Sequence, residues 1–390
     1  MISVQEALDK IFELLTPLNT EVIPLDQALG RVLAEPVIAR RDQPPFAASV
    51  MDGYAVPAES LSPGEIYTVI GEAAAGHRFK GKISGTDCVR IFTGAPIPEG
   101  AQRVVIQEDV ERDGDTITIR SEADSKLYIR ALGADFRADD TIESKKRLSP
   151  EDIALIAAMN CPDVTVYRRP NVALIATGDE LVPPGGEPGD DQIIASNALG
   201  LAALVQSSGG IARRLPIARD TEESLRAVFE LAKDVDLIVT IGGASVGDHD
   251  LVGKVAADLG MVRAFYKIAM RPGKPLMAGT LNGAPMIGLP GNPVSSMVCG
   301  HVFLKPALNV LQGLPPEPLT TRQLPLGEAL QANGPRAHYM RAVADGDTVT
   351  AESRQDSALL SVLARANALV VRPPNAPAAV AGETVDVIDL

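Results

Sequence analysis

Three cations fall within eight residues at Lys267, Arg271 and Lys274, in a chain whose net charge is −14. Such a cluster against an acidic background marks a place where an anion could be held. Pro272, Gly273 and Pro275 restrict the backbone between the cations, which suits a preorganised site, although a solvated basic loop would read the same way. A second stretch, Gly242-Gly243-Ala244-Ser245-Val246-Gly247-Asp248-His249-Asp250, has glycines that would let backbone amides approach a phosphate, with Gly242, Gly243 and Ser245 as the contact candidates. Its spacing fits neither a Walker A loop nor a GxGxxG fingerprint, and a tight strand-to-helix turn explains it equally well. The loop Pro290-Gly291-Asn292-Pro293-Val294-Ser295 opens a helix, so its free amides and the Ser295 hydroxyl could accept an anion, or Ser295 could simply cap. Glu180, Asp220, Asp248 and Asp250 sit at or near strand ends. Carboxylates grouped beside cations can hold Mg²⁺ against a pyrophosphate, because hard oxygen ligands suit that ion. Asp220, with Glu223, also reads as the N-cap of a helix.

The elements that must present these loops follow from hydrophobic patterning. Residues 172–176 (VALIA) and 236–241 (DLIVTI) are continuous apolar runs suited to strands buried on both faces. Helix patterns at 197–206, from Asp220 to about Lys233 and from about 294 to 311 alternate with them and with strand-like 211–218 and 284–289. Strand and helix alternating in this way predict a largely parallel sheet covered on both faces, with ligands beyond the carboxyl ends of its strands.

The rest of the chain is built differently. Ser3 and Glu6 form a capping box, and Val4, Leu8, Ile11, Phe12 and Leu15 share one helical face, which reads as a folded helix and not as a signal peptide. Residues 44–134 turn β-like, with strands at 87–92 and 104–107 and a hairpin turn signal at Asp113-Gly114-Asp115. Within this module Met51-Asp52-Gly53-Tyr54-Ala55 and the segment from Ile91 to Pro98 each read, on physics alone, as a turn plus an aromatic anchor. Ser149 and Pro150 begin a second helix. The helical pieces on either side of the β-module are expected to pack together, which makes the module an insertion. Beyond the stiff 314–318 segment (LPPEP), short strands at 336–343, 348–354 and 368–371 suggest a small β-domain, with 357–366 ambiguous.

Composition narrows the class of function. With 36 Lys plus Arg against 50 Asp plus Glu, a global grip on nucleic acid is excluded, since it would need a basic face. Cys88, Cys161 and Cys299 are odd in number and far apart, which argues for a reducing compartment and against a disulfide framework or structural zinc. The uncharged stretches 192–212 and 275–304 are interrupted by polar residues, Pro and Gly, so neither is expected to span a membrane. A cytoplasmic location is expected.

Taken together, SVMDGYA at 49–55, IFTGAPIP at 91–98, TGDEL at 177–181, GGASVGDHD at 242–250, RPGKP at 271–275 and LPGNPVS at 289–295 resemble the MoeA and gephyrin E-domain family of molybdopterin molybdenumtransferases. The motifs spread in order over most of the chain, and the C-terminal part matches more loosely. The resemblance implies an α/β multidomain protein with four parts. These are a helical domain in two pieces (1–43 and 135–168), an inserted β-module (44–134), a three-layer α/β/α molybdopterin-binding domain (169–312) and a C-terminal β-domain (313–390). It implies an elongated homodimer whose cleft lies between the α/β domain of one subunit and the β-module of the other. The implied reaction takes adenylylated molybdopterin and molybdate, uses Mg²⁺ and yields molybdenum cofactor plus AMP, with possible handover partners in the cofactor pathway. Carried over by position, Asp52, Thr93, Asp135, Glu180, Asp220 and Asp250 match the family's functional polar positions, with Glu180, Asp220 and Asp250 as the metal carboxylates. Lys267, Arg271, Lys274 and Ser295 match its anion-binding set, Pro290 is taken as cofactor-binding with them, and Arg341 and Ser357 are similar to positions that line the same cleft. Arg271 stands where some relatives have Lys, which exchanges a point charge for a planar fork. Two rivals remain at this level. One is the preceding adenylylation of the pterin by ATP, which uses a similar α/β domain, and the other is a purely scaffolding role.

Overall fold

The computed structural model describes residues 1–122, 125–243 and 251–390. Helix α1 (Val4–Phe12) starts at the expected capping box: Ser3 Oγ accepts from the Glu6 amide at 3.1 Å, and Glu6 Oε2 accepts from the Ser3 amide at 2.7 Å. Its stripe Ala7, Leu8 and Ile11, continued by Leu15, is buried. That stripe does not pack on α2 (Pro150–Ala158). It joins the core of the α/β domain, against the strands Val262–Tyr266 and Met277–Leu281. What joins the two flanks of the β-module is an antiparallel strand pair, Thr20–Pro24 with Asp163–Tyr167. Ile156 and Met159 of α2 share a separate core with Leu25, Leu33, Val164 and Val166. The sequence pattern predicts both helical pieces in one unit, and the structure separates them. The difference arises because an amphipathic stripe shows that a partner exists without specifying which surface it is.

The β-module is a six-stranded sheet in the order Arg103–Ile106, Gly53–Val56, Asp87–Ile91, Ile66–Ala73, Thr116–Ile119, Val110–Asp113. Its last two strands form the expected hairpin. Asp113 pairs with Thr116, leaving Gly114-Asp115 as a two-residue loop with Gly114 at φ +59°.

The α/β domain holds a six-stranded sheet in the order Ile211–Arg214, Asn171–Ala176, Leu237–Ile241, Ala284–Leu289, Met277–Leu281, Val262–Tyr266. The first four strands are parallel, and the last two are joined antiparallel. The Met277–Leu281 strand is absent from the sequence reading, and it makes the sheet mixed. Alternation along Asn171–Ala176 explains the layering. Val172 and Leu174 face a core with α3 (Asn197–Ser207), while Ala173 and Ile175 face one with α4 (Glu222–Leu231) and α5 (Leu251–Asp258). The expected helix after Pro290 is α6 (Pro293–Cys299), a π-helical turn (Gly300–Leu304) and α7 (Lys305–Leu311). Pro306 lacks the amide that a regular helix would aim at residue 302, and the wider turn absorbs that loss. Taken as one, Pro293–Leu311 is long and apolar enough to cross a membrane, but 78% of its most apolar window is buried, so it is the core helix of this domain.

The C-terminal sheet runs Met270–Arg271, Ala337–Ala344, Ala368–Arg372, Thr384–Asp389, Arg322–Pro325, with Val349–Ala351 paired to Ala337–Ala344. Its first strand is lent by the cationic loop of the α/β domain, so that loop is built into two sheets' surroundings at once. The ambiguous 357–366 stretch contains α8 (Leu360–Arg365).

Candidate functional site

From the Asn171–Ala176 strand the chain crosses by α3 to one side, and then by α4 to the Leu237–Ile241 strand on the other. The order reverses between these two neighbours, which is where an open α/β sheet leaves a ligand crevice beyond its carboxyl ends. A cavity of about 490 Å³ lies there, walled by Thr177 and Glu180 after the first strand, by Gly242 and Gly243 after the second, and by Asp220 and Pro290. The two glycines have φ of +90° and +65°, a backbone that L side chains rarely adopt. A second cavity of about 440 Å³ lies towards the C-terminal domain, with Arg271, Lys274, Arg336 and Ser357 in its wall. Pro275, Asn292 and buried Ser295 belong to both cavities. The result is one composite site with Glu180 and Asp220 at one end and three cations beside a single carboxylate, Asp356, at the other.

Several expected residues have definite places in this arrangement. Asp220 is not the cap of α4; Thr221 is, its hydroxyl accepting from the Ser224 amide at 3.2 Å. The Asp220 amide instead donates to Asp179 Oδ1 at 3.3 Å, and its carboxylate is left to the cavity. Asn292, not Ser295, is the N-cap position of α6, so capping does not account for Ser295. Ser357 is bound to this corner twice, through Asn292 Nδ2 to Ser357 Oγ at 3.0 Å and the Val294 amide to its carbonyl at 3.0 Å. Arg271 and Lys274 reach the second cavity, but Lys267 lines neither. Its ammonium lies 4.8 Å over the Tyr266 ring, and its backbone, at φ +71°, is held by Ile2 and Leu276. Arg341 does not line the cavities either. Only 1% exposed, it donates to Gln355 Oε1 at 3.0 Å and to the Asp356 carbonyl at 2.8 Å, bracing the loop that ends in Ser357. The sequence reading missed Thr177, Asn292 and Arg336. For Arg336 the signal was present, a second arginine five residues before Arg341.

Asp52 and Thr93 pair with each other. The Thr93 amide and hydroxyl both donate to Asp52 Oδ1, at 2.8 and 2.9 Å, so the two β-module motifs are one unit. Those bonds, with Arg90 nearby, hold the Asp52 carboxyl below its ordinary range. Asp135 lines a separate hollow beside Pro44 and Arg130. None of the three reaches the composite site within one chain. Among the described residues no group of three His, Cys, Asp or Glu is placed to hold a metal. Ser245, Asp248 and Asp250 lie outside the described residues.

The cations leave a mark on a neighbour. His338, 7% exposed, sits across from Arg271 and Arg372 on the adjoining strands. Burial, then Arg271, Arg341 and Arg336, push its imidazole down to about 4. The unfolded chain takes up a proton near pH 6.5 that the folded chain refuses until about pH 4, so stability falls as pH drops through that window. His338→Gln should therefore lose about 2 kcal/mol less than wild type between pH 7 and pH 5. Denaturant titrations at the two pH values measure this, and equal losses would refute it.

Comparison with known proteins now places the chain. The MoeA N-terminal region (domain I and II) matches residues 2–160, the probable molybdopterin binding domain 173–310, and the MoeA C-terminal region (domain IV) 323–390. The molybdopterin molybdenumtransferase of a Nostoc species is 34% identical over 411 residues, covering 100% of this chain and 94% of the relative. That of Haemophilus influenzae is 33% identical over 397 residues, covering 99% and 98%. Among solved structures, a molybdopterin biosynthesis MoeA protein from Pyrococcus horikoshii matches at a TM-score of 0.86 with 26% identity, covering 100% of both chains. A second structure of that name, from the same genus, matches at 0.81 with 30% identity, covering 100% of this chain and 99% of the other. The chain belongs to the MoeA family of molybdopterin molybdenumtransferases.

Proposed function

We propose that this chain inserts molybdenum into molybdopterin, taking adenylylated molybdopterin and molybdate with Mg²⁺ and releasing AMP. The carrying observation is the composite site, in which a carboxylate-bearing crevice at the sheet's switch point meets a cation-lined hollow at Ser295. In this reading the adenylate lies in the crevice, and molybdate is drawn to Arg271, Lys274 and Arg336. Charge sorts the two substrates. In the hollow three cations outnumber Asp356 and attract the oxyanion, while in the crevice Glu180 and Asp220, with no cation in the wall, would repel it. Two carboxylates beside substrate phosphates are a fitting donor set for Mg²⁺, which when bound supplies charge neutralisation at the pyrophosphate; Asp250 is the third carboxylate this reading assigns. The dithiolene sulfurs receive the molybdenum, so no protein thiol is needed. Cys88, Cys161 and Cys299 are all buried, and burial pushes the thiols of Cys88 and Cys299 upward, away from the reactive thiolate.

The same reading takes the four domains given above, with α1 packed on the α/β domain, and a homodimer with a shared cleft, in the cytoplasm. What supports a shared cleft is that Asp52, Thr93 and Asp135 stand apart from the composite site of their own chain. The test is AMP release from adenylylated molybdopterin on adding molybdate. Release is expected to require both molybdate and Mg²⁺, and Glu180→Gln should need more Mg²⁺ to saturate. Full release in excess chelator would remove the metal assignment, and no release under any condition would remove the reaction.

A further inference from the structure

Thr177 opens the TGDEL stretch and has been given no role of its own so far, yet it lines the crevice. It follows the Asn171–Ala176 strand directly. Its amide donates to the Ile241 carbonyl at 3.1 Å, and it bridges to Ala218 on the other side, so neighbouring segments fix its backbone from both flanks. The residue is 4% exposed and belongs to the crevice wall, and its Oγ1 has no hydrogen-bond partner among the described residues. A buried hydroxyl without a partner is uncommon and calls for a reason, because its desolvation is uncompensated. Ser208, Thr240 and Ser296 also have unpartnered buried hydroxyls, but none of them lines either cavity.

Oγ1 is itself covered, and the two glycines that end the next strand lie against it. A Cβ on Gly242 would come within 3.3 Å of it, and one on Gly243 within 3.0 Å. Side chains at these positions would crowd the hydroxyl from the strand next door. The residues that would compete for it as acceptors, Glu180 and Asp220, line the same cavity but make no bond to it.

We propose that the Thr177 hydroxyl donates a hydrogen bond to a phosphate oxygen of the substrate, making it a ligand-contacting residue of the crevice. This rests on the reading above, that a nucleotide-bearing substrate lies there. The consequence is a reversal of the usual signs. Removing a paired structural hydroxyl lowers stability and leaves binding alone. Removing this one leaves the ligand-free protein at least as stable and weakens binding of the phosphate end.

The experiment uses the full chain with Mg²⁺, AMP and adenosine as calorimetric probes, and thermal melts without ligand. Thr177→Val keeps the shape and loses the hydroxyl, while Thr177→Ser keeps the hydroxyl. Valine is expected to weaken AMP binding by about tenfold or more, leave adenosine binding unchanged and not lower the melting temperature. Serine should hold AMP within about twofold of wild type. If valine does not fold, the same comparison between Thr177→Ala and Thr177→Ser decides. Valine binding AMP as wild type does, while wild type binds it well, would overturn this inference alone. Equal losses for AMP and adenosine would overturn the phosphate assignment. A wild type that binds no AMP would overturn the adenylate reading as well.

Discussion

Gly53→Ala is expected to destabilise the β-module by about 3 kcal/mol or more and to abolish activity. Gly53 lies in the Gly53–Val56 strand, paired to Asp87–Ile91 on one side and Arg103–Ile106 on the other. A Cβ there would sit 1.8 Å from the Val105 carbonyl oxygen, a backbone atom with no rotamer to escape into. The strand pair would have to separate, costing ladder hydrogen bonds as well as packing. Asp52 immediately precedes Gly53, so the Asp52–Thr93 pair would move with it, and activity should fall even at temperatures where the variant is folded. Gly334→Ala is the control, since a Cβ there meets nothing within 4 Å, and it should stay within about 0.5 kcal/mol of wild type. Denaturant unfolding followed by a probe in the β-module measures the effect. A Gly53→Ala chain as stable as the Gly334→Ala chain would show that the strands part freely at this point.

Lys274→Ala should raise the molybdate requirement by roughly 10- to 100-fold while leaving the melt nearly unchanged. Charge-assisted contacts to an oxyanion are worth about 1.5–3 kcal/mol, at about 1.4 kcal/mol per decade. The side chain is exposed and makes no ion pair among the described residues, so folding loses little when it goes. Its backbone carbonyl, which accepts from the Ile268 amide at 3.0 Å, survives the substitution and keeps the loop in shape. Superimposable molybdate curves would sink the anion assignment of this hollow. The same variant probes the shared cleft. Mixed with Asp52→Ala under subunit exchange, at molybdate levels that starve Lys274→Ala, it should recover activity that neither chain shows alone. No recovery despite proven exchange would place Asp52 and Lys274 in the same subunit's site.

The sequence by itself determined the kind of domain at the centre of this protein and pointed to the strand-end loops that line its crevice. The buried runs VALIA and LIVTI, the helices between them and the glycines at their ends follow from local rules: period, capping and the sterics of positive φ. Capping was also legible where both partners are close in the chain, as at Ser3 and Ser149. It failed at Asp220, because two adjacent residues compete for one cap and the local pattern does not rank them. Only the tertiary structure decided how residues far apart in sequence divide the labour. The cluster Lys267, Arg271, Lys274 is a single feature on paper. In space, Arg271 pairs with His338 at the C-terminal sheet and lines the hollow with Lys274, while Lys267 lies against Tyr266. Arg341 looked like a lining residue and is a buried brace, Asp52 and Thr93 hold each other, and α1 joins a core assembled from segments hundreds of residues away. The physical reason is the range of the forces involved. Backbone sterics and amphipathic period act within a few residues and can be read from a string, whereas the burial of a charge or the orphaning of a hydroxyl such as that of Thr177 depends on which distant surfaces close over it.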